Sequence, residues 1–295
     1  MQPGSGRADA ASRRRIGFGV GLVAALAGVM MAACGGGGSS GSSSTAAASA
    51  SSGTPALSGS ITVYAASSLT TAFYKEKAAF EQAHPGARVN FNFNGSPTLV
   101  TQLDQGAPAD VLATADEKSM KTASDKKLVA GDVKIFAKNR LVLAVPKANP
   151  GGIQAPNDLA KPNLKLVLAQ KGVPVGDYAR QALSKMAADA SYGAGFSDAA
   201  LKNLVSEEAN VKAVVSKIQL GEADAGIVYT TDITADVAGA ITAIEIPDAF
   251  NVVASYPIAV TAKAANSQLA AAFVSFILSS DGQKILTDSG FIGVK

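Results

Sequence analysis

The stretch Ile61-Thr62-Val63-Tyr64-Ala65-Ala66-Ser67-Ser68-Leu69-Thr70 decides how the fold is read. Ile61, Val63 and Tyr64 are β-formers bounded by Gly59 and Ser60, so the stretch opens as a strand. It then runs through small residues and two serines into a helical pattern, with Leu69, Ala72, Phe73, Ala79 and Phe80 as the apolar positions. A strand that feeds a helix this way leaves free backbone N–H groups aimed at whatever lies in front of the helix. Those groups and the helix dipole favour an anion. The turn at Ser67-Ser68 is therefore read as one wall of an oxyanion-binding cleft; on this stretch alone, an ordinary capped helix of an α/β protein also accounts for it.

The same grammar returns downstream. Val89, Phe91 and Phe93 alternate inward in a second strand, and Asn94-Gly95-Ser96-Pro97 leads into a helix from Thr98 to about Gln105. Ser96 is expected as its N-cap, with Pro97 as the first helical residue. A short buried strand follows at Asp110–Ala113, a helix from Asp116, and an apolar strand at Leu141–Val145. In the second half, a strand at Leu164–Leu168 leads through Gly172-Val173-Pro174-Val175-Gly176 into a helix expected from Asp177. Leu201–Val205 reads as a strand, Asn210 as the cap of a helix reaching about Leu220, and Ala225–Tyr229 as a buried strand. Strands are expected at Ala243–Ile246 and Ser255–Thr261, then two C-terminal helices. Alternating strands and helices imply parallel or mixed sheets covered on both faces, with ligands at the carboxyl ends of strands. The loops around Ser68, Ser96, Val175 and Asn210 each sit just before a helix, so four helix N-termini converging on one anion is the expectation.

Composition bounds the partners. The formal net charge of +3 is misleading, because Arg7, Arg13, Arg14 and Arg15 lie before residue 16 against one acid, Asp9; without them 22 basic residues face 22 acidic ones. A neutral domain has no field for nucleic acid. Residues 1–34 read as an export leader: Arg13-Arg14-Arg15, a 16-residue apolar and Gly-rich run from Ile16 to Met31, then Met31-Ala32-Ala33-Cys34. That run is shorter than the roughly 20 residues a membrane-spanning helix needs. The tetrapeptide resembles the bacterial lipoprotein signal, with Met31 where Leu is usual, and makes Cys34 a lipid attachment point. Residues 35–56, nearly all Gly, Ser, Ala and Thr, read as a flexible tether. The expected location is outside the cytoplasm, anchored to the cell membrane through Cys34.

The chain lacks a catalytic kit. His84 is the one histidine, at an expected helix end, so Ser67 or Ser68 has no base for a hydrolase triad. There is no Walker loop, no Gly-x-Gly-x-x-Gly and no Cys/His cluster for zinc. An exported domain with these features reads as a binder, not an enzyme, and no cofactor is called for; an exported serine hydrolase using Ser67 or Ser68 and a surface interaction protein without a small ligand are the alternative classes.

Five pieces in order resemble the molybdate-binding proteins of ABC importers: Val63–Thr70, Gly106–Val111, Val173–Ala179, Gly226–Tyr229 and Tyr256–Ala259. The resemblance spans about Ser60 to Lys295. It implies the two-lobed type II periplasmic-binding-protein fold, an α/β architecture of mixed sheets flanked by helices with a ligand cleft between the lobes. Lobe 1 would comprise 57–139 and 254–295, and lobe 2 140–253. Carried over by position, it implies that Ser68 and Ser96 each offer a hydroxyl and a backbone N–H, Val175 and Val211 backbone N–H groups, and Tyr229 its phenol. Val175 stands where the family often has Ala, and Pro97 cannot donate, leaving Ser96 as the donor of its loop. The implied partners are molybdate or tungstate (sulfate or another tetrahedral oxyanion being the alternative) and a membrane permease, the receptor itself being a monomer. Asp177 is close enough in sequence to supply an acceptor, and that point stays open here.

Overall fold

The structure is a computed structural model that describes residues 57–294. The leader, the tether and Cys34 lie outside the described residues.

In chain order the elements are β1 (Ser58–Ala66), α1 (Thr70–Ala83), β2 (Gly86–Asn94), α2 (Ser96–Asp104), β3 (Val111–Ala113), α3 (Glu117–Asp125) and β4 (Val129–Asn139). There follow β5 (Leu141–Pro146), β6 (Leu166–Ala169), α4 (Pro174–Ala187), α5 (Phe196–Lys202), β7 (Leu204–Glu208), α6 (Val211–Gln219), β8 (Ala225–Tyr229) and β9 (Ile241–Glu245). The chain ends with β10 (Ala254–Thr261), α7 (Ser267–Leu278) and α8 (Ser280–Asp288).

Two five-stranded mixed sheets result, ordered β2-β1-β3-β10-β4 and β7-β6-β8-β5-β9. In the first, β1 runs parallel to β2 and β3, and β10 is antiparallel to β3 and β4. In the second, β6 runs parallel to β7 and β8, and β5 is antiparallel to β8 and β9. The central strands β5, β6 and β8 are buried along their whole length, which explains their continuous apolar composition. On the first sheet Phe73 of α1 packs among Phe91, Phe136 and Phe273, with ring centroids 5.8–6.2 Å apart.

The chain passes between the sheets twice, side by side. Only Arg140 separates β4 from β5. The return runs through 246–253 into β10, whose Ala254 lies opposite Asn139. Buried Asn251 ties the crossings together: its Oδ1 accepts from Leu141 N–H at 3.0 Å, and its amide donates to the carbonyls of Leu141 (2.9 Å) and Ile246 (3.2 Å).

Several local expectations are corrected. Ser96 is not the cap of α2; Gly95 is, and Ser96 is the first helical residue. The helix expected from Asp177 begins at Pro174, since proline is tolerated in a first turn. It lies tight against β6, and a Cβ at Gly176 would meet the carbonyl oxygens of Ala169 and Gln170. The strand expected at Leu201–Val205 is the end of α5 followed by β7; β7 is an edge strand, only half-buried at alternate positions, so its pattern is weak. β4 carries only a weak pattern because it too is an edge strand, exposed from Ala130 to Lys134 and turned at Gly131 (φ +68°).

Candidate functional site

Five segment ends meet between the two sheets. After β1 the chain makes a short 3-10 turn, Ser67–Leu69, whose residues are all buried. After β2, Asn94 Oδ1 accepts from the Gly95 N–H at 2.8 Å and fixes the entry to α2. After β6, Gly172 (φ +90°) donates its N–H to Asp177 Oδ1 at 2.8 Å, which sets the approach to Pro174 and Val175. After β7, Asn210 caps α6 by accepting from Ala213 N–H at 3.1 Å, leaving the Val211 N–H without an intrahelical acceptor. The fifth is Tyr229, the last residue of β8.

These ends line one small pocket with only about 10 Å³ of free space. All five residues singled out in the sequence, Ser68, Ser96, Val175, Val211 and Tyr229, are on its wall, together with Asn94, Gly95, Ala115 and Asn210. Sites for drug-sized molecules run to roughly 300–1,000 Å³, so a space this small admits nothing larger than a small inorganic ion. Asp177, left open above, is not on the wall; its carboxylate faces Gly172 N–H and Lys118 Nζ, the latter at 3.6 Å. Among the described residues, no charged side chain lines the cavity.

Proton positions give the site its character. Ser96 Oγ accepts from the buried Ala115 N–H at 3.0 Å, so its own proton is free to point inward. Ser68 Oγ lies 3.0 Å from Tyr256 Oη. Tyr229 Oη is fully buried and, among the described residues, has no hydrogen-bond partner. A buried hydroxyl without a partner is costly unless something fills the gap. Burial first, then the neighbouring Tyr256, Tyr178, Asp232 and Asp116, hold the Tyr229 phenol well above the ordinary tyrosine range. It therefore stays protonated and acts as a donor. The side-chain acceptors of Asn94 and Asn210 are both occupied by backbone N–H groups. The wall thus presents donors with no free carboxylate, and what it can hold is an anion that accepts on every side.

Behind Tyr229, buried Asp232 accepts from the Tyr229 N–H at 3.1 Å, and Lys212 Nζ lies 3.1 Å from its other oxygen. Burial pushes the Asp232 carboxyl up while Lys212 opposes it. This pair fixes the end of β8 and, with it, the direction of the phenol.

Comparison with known proteins bears on this geometry. A family model described as bacterial extracellular solute-binding protein matches residues 61–292. The chain belongs to this family. Its members bind solutes, so this solute-binding protein is not an enzyme and is of an exported class. It is similar to the molybdate-binding protein ModA of Mycobacterium tuberculosis, with 39% identity over 234 residues, 79% of this chain and 84% of that one. Among solved structures it is similar to the substrate-binding domain of a putative molybdenum ABC transporter from Clostridium difficile, at 28% identity and a TM-score of 0.59 over 80% of this chain and 99% of that one. The sulfate-binding protein SubI of M. tuberculosis superposes with a TM-score of 0.70 over 80% of this chain and 87% of that one; at 20% identity that likeness speaks for the fold alone.

Several residues that support the site carry no local signal in the sequence, Tyr256 and Ala115 among them. Tyr256 falls within a piece that resembles the family, and nothing local marks it as a partner of Ser68 across 188 positions. Ala115 contributes a backbone N–H, which no side-chain pattern can announce.

Proposed function

We propose that this solute-binding protein is the molybdate receptor of an ABC importer, with tungstate as a second ligand. The carrying observation is the donor-only cavity with the orphaned Tyr229 hydroxyl on its wall. The hydroxyls of Ser68, Ser96 and Tyr229 and the N–H groups of Val175 and Val211 hold the ion. Neutral dipoles do this without burying a Lys or Arg, so no cation has to be stripped of water. Each charge-assisted hydrogen bond contributes roughly 1.5–3 kcal/mol, offset in part by closure and ordering. Lipid on Cys34 tethers the receptor, as a monomer, to the outer face of the cell membrane, and the permease takes the ion from it. The paired crossings at Arg140 and at 246–253 are the hinge about which the lobes, 57–139 with 254–295 and 140–253, open and close.

Calorimetric titration with molybdate, tungstate, sulfate and phosphate tests this. Molybdate and tungstate are expected to bind most tightly and phosphate, which carries a proton at neutral pH and finds no acceptor, least. Sulfate binding tighter than molybdate would reject molybdate as the ligand.

Ser96→Ala is expected to act on two quantities at once. Loss of the hydroxyl donor weakens oxyanion binding by about 1–3 kcal/mol, and the orphaned Ala115 N–H lowers the stability of the free protein by a similar amount. An unchanged affinity would remove Ser96 from the ligand shell.

A further inference from the structure

Tyr256 does not line the cavity, yet its hydroxyl decides what Ser68 can do there. The ring is fully buried on β10 and packs edge-on against Phe136, Tyr229 and Phe291. Its Oη lies 3.0 Å from Ser68 Oγ and receives a hydrogen bond from Asn139 Nδ2 at 3.4 Å. The Asn139 amide has one orientation, because Oδ1 accepts from the Arg140 N–H at 2.9 Å and the other amide proton goes to Thr231 Oγ1 at 2.8 Å.

The protons can then be counted. Nδ2 is a donor only, so Tyr256 Oη is an acceptor toward Asn139. The buried phenolic proton needs an acceptor, and Ser68 Oγ is the one within hydrogen-bond distance among the described residues. Ser68 therefore accepts from Tyr256, and its own proton has no acceptor among its protein contacts and points into the cavity. We propose that Tyr256, held by Asn139, is a positioning residue that fixes Ser68 as a donor and thereby excludes ligands bearing a proton. This rests on the oxyanion reading of the cavity and adds the origin of its selectivity. Without the phenolic proton, Ser68 Oγ is no longer pinned and is free to turn, so it can accept from a hydrogen phosphate as readily as it donates to a dianion.

The test is titration of wild type and Tyr256→Phe with molybdate, sulfate and phosphate. The variant is expected to lose about tenfold in molybdate affinity while phosphate loses less or gains, so the molybdate-to-phosphate ratio falls by about tenfold. A purely structural role would weaken all three anions alike; an unchanged ratio overturns the proposal. In a Ser68→Ala background, Tyr256→Phe is expected to change the ratio no further, and additive losses would also overturn it. If Tyr256→Phe does not fold, Asn139→Ala, which frees the phenol to turn, is expected to lower the same ratio, and failure to do so counts against the relay. A wild-type protein that binds sulfate but not molybdate would refute the molybdate reading alone, and the sulfate-to-phosphate ratio would then decide the relay in the same way. Binding of no oxyanion would refute both.

Discussion

Gly95→Ala is expected to lower oxyanion affinity by on the order of a hundredfold while leaving the melting temperature of the ligand-free protein nearly unchanged. Gly95 has φ −63° and ψ 139°, which any residue adopts, so the substitution strains no backbone. The obstacle is across the cleft: a Cβ at this position would sit 2.5 Å from the carbonyl oxygen of Ala209, where ordinary contact begins at 3.4 Å. Gly95 immediately precedes Ser96, and Ala209 stands two residues before Val211, so two of the loops that line the pocket touch back to back at this point. An alanine holds them about an ångström apart. A rigid carbonyl cannot swing aside as a flexible side chain would. The Val175 and Val211 donors then lose their reach to an ion seated on Ser68 and Ser96. Losing most of two charge-assisted bonds costs about 3 kcal/mol, which is the hundredfold. In the proposed open state the two loops separate, and thermal unfolding of the free protein is then expected to be unchanged. Titration calorimetry and melting curves with and without molybdate check this; wild-type affinity in the variant would show that the loops need not close this tightly.

The legibility of this site in the sequence follows from its physics. A helix N-terminus preceded by a strand and a small residue is a local pattern, so the turns at Ser68, Ser96, Val175 and Val211 were readable one by one. What drew them together was order along the chain, through resemblance to a known family, not spacing. Buried strands such as Ala225–Tyr229 were readable because both faces are covered and the run is continuously apolar. β4 and β7 were not, because edge strands carry lysines and glutamates on open faces. The cap of α2 was misassigned because a serine before a proline has the look of an N-cap; its hydroxyl is instead engaged by Ala115, nineteen residues on. Tyr256 and Asn139 remained silent for the same reason. Their partners lie 188 and 92 positions away, and long-range hydrogen bonds leave no periodic trace.

Glu76→Met is expected to raise stability at pH 8 by several kcal/mol and to remove most of a pH dependence that wild type shows. Glu76 lies on the buried face of α1, one turn from Phe73 on one side and from Phe80 on the other. It is fully buried, and neither carboxyl oxygen has a hydrogen-bond partner among the described residues. Burial pushes its carboxyl up to about 9 from an ordinary 4.5. The sign follows from proton counting. Between about pH 4.5 and pH 9 the folded state holds a proton that the unfolded chain has released, so stability falls as pH rises. The loss approaches about 1.4 kcal/mol per pH unit across that window, is absent below it and levels off above it. Methionine matches the length of glutamate, fills the same space without a group to desolvate, and has no proton to exchange. Denaturant melts at pH 5 and pH 8 therefore give a large gap for wild type and a small one for the variant. Two equal gaps would mean that Glu76 finds water or a partner in solution, and that another group sets whatever pH dependence appears.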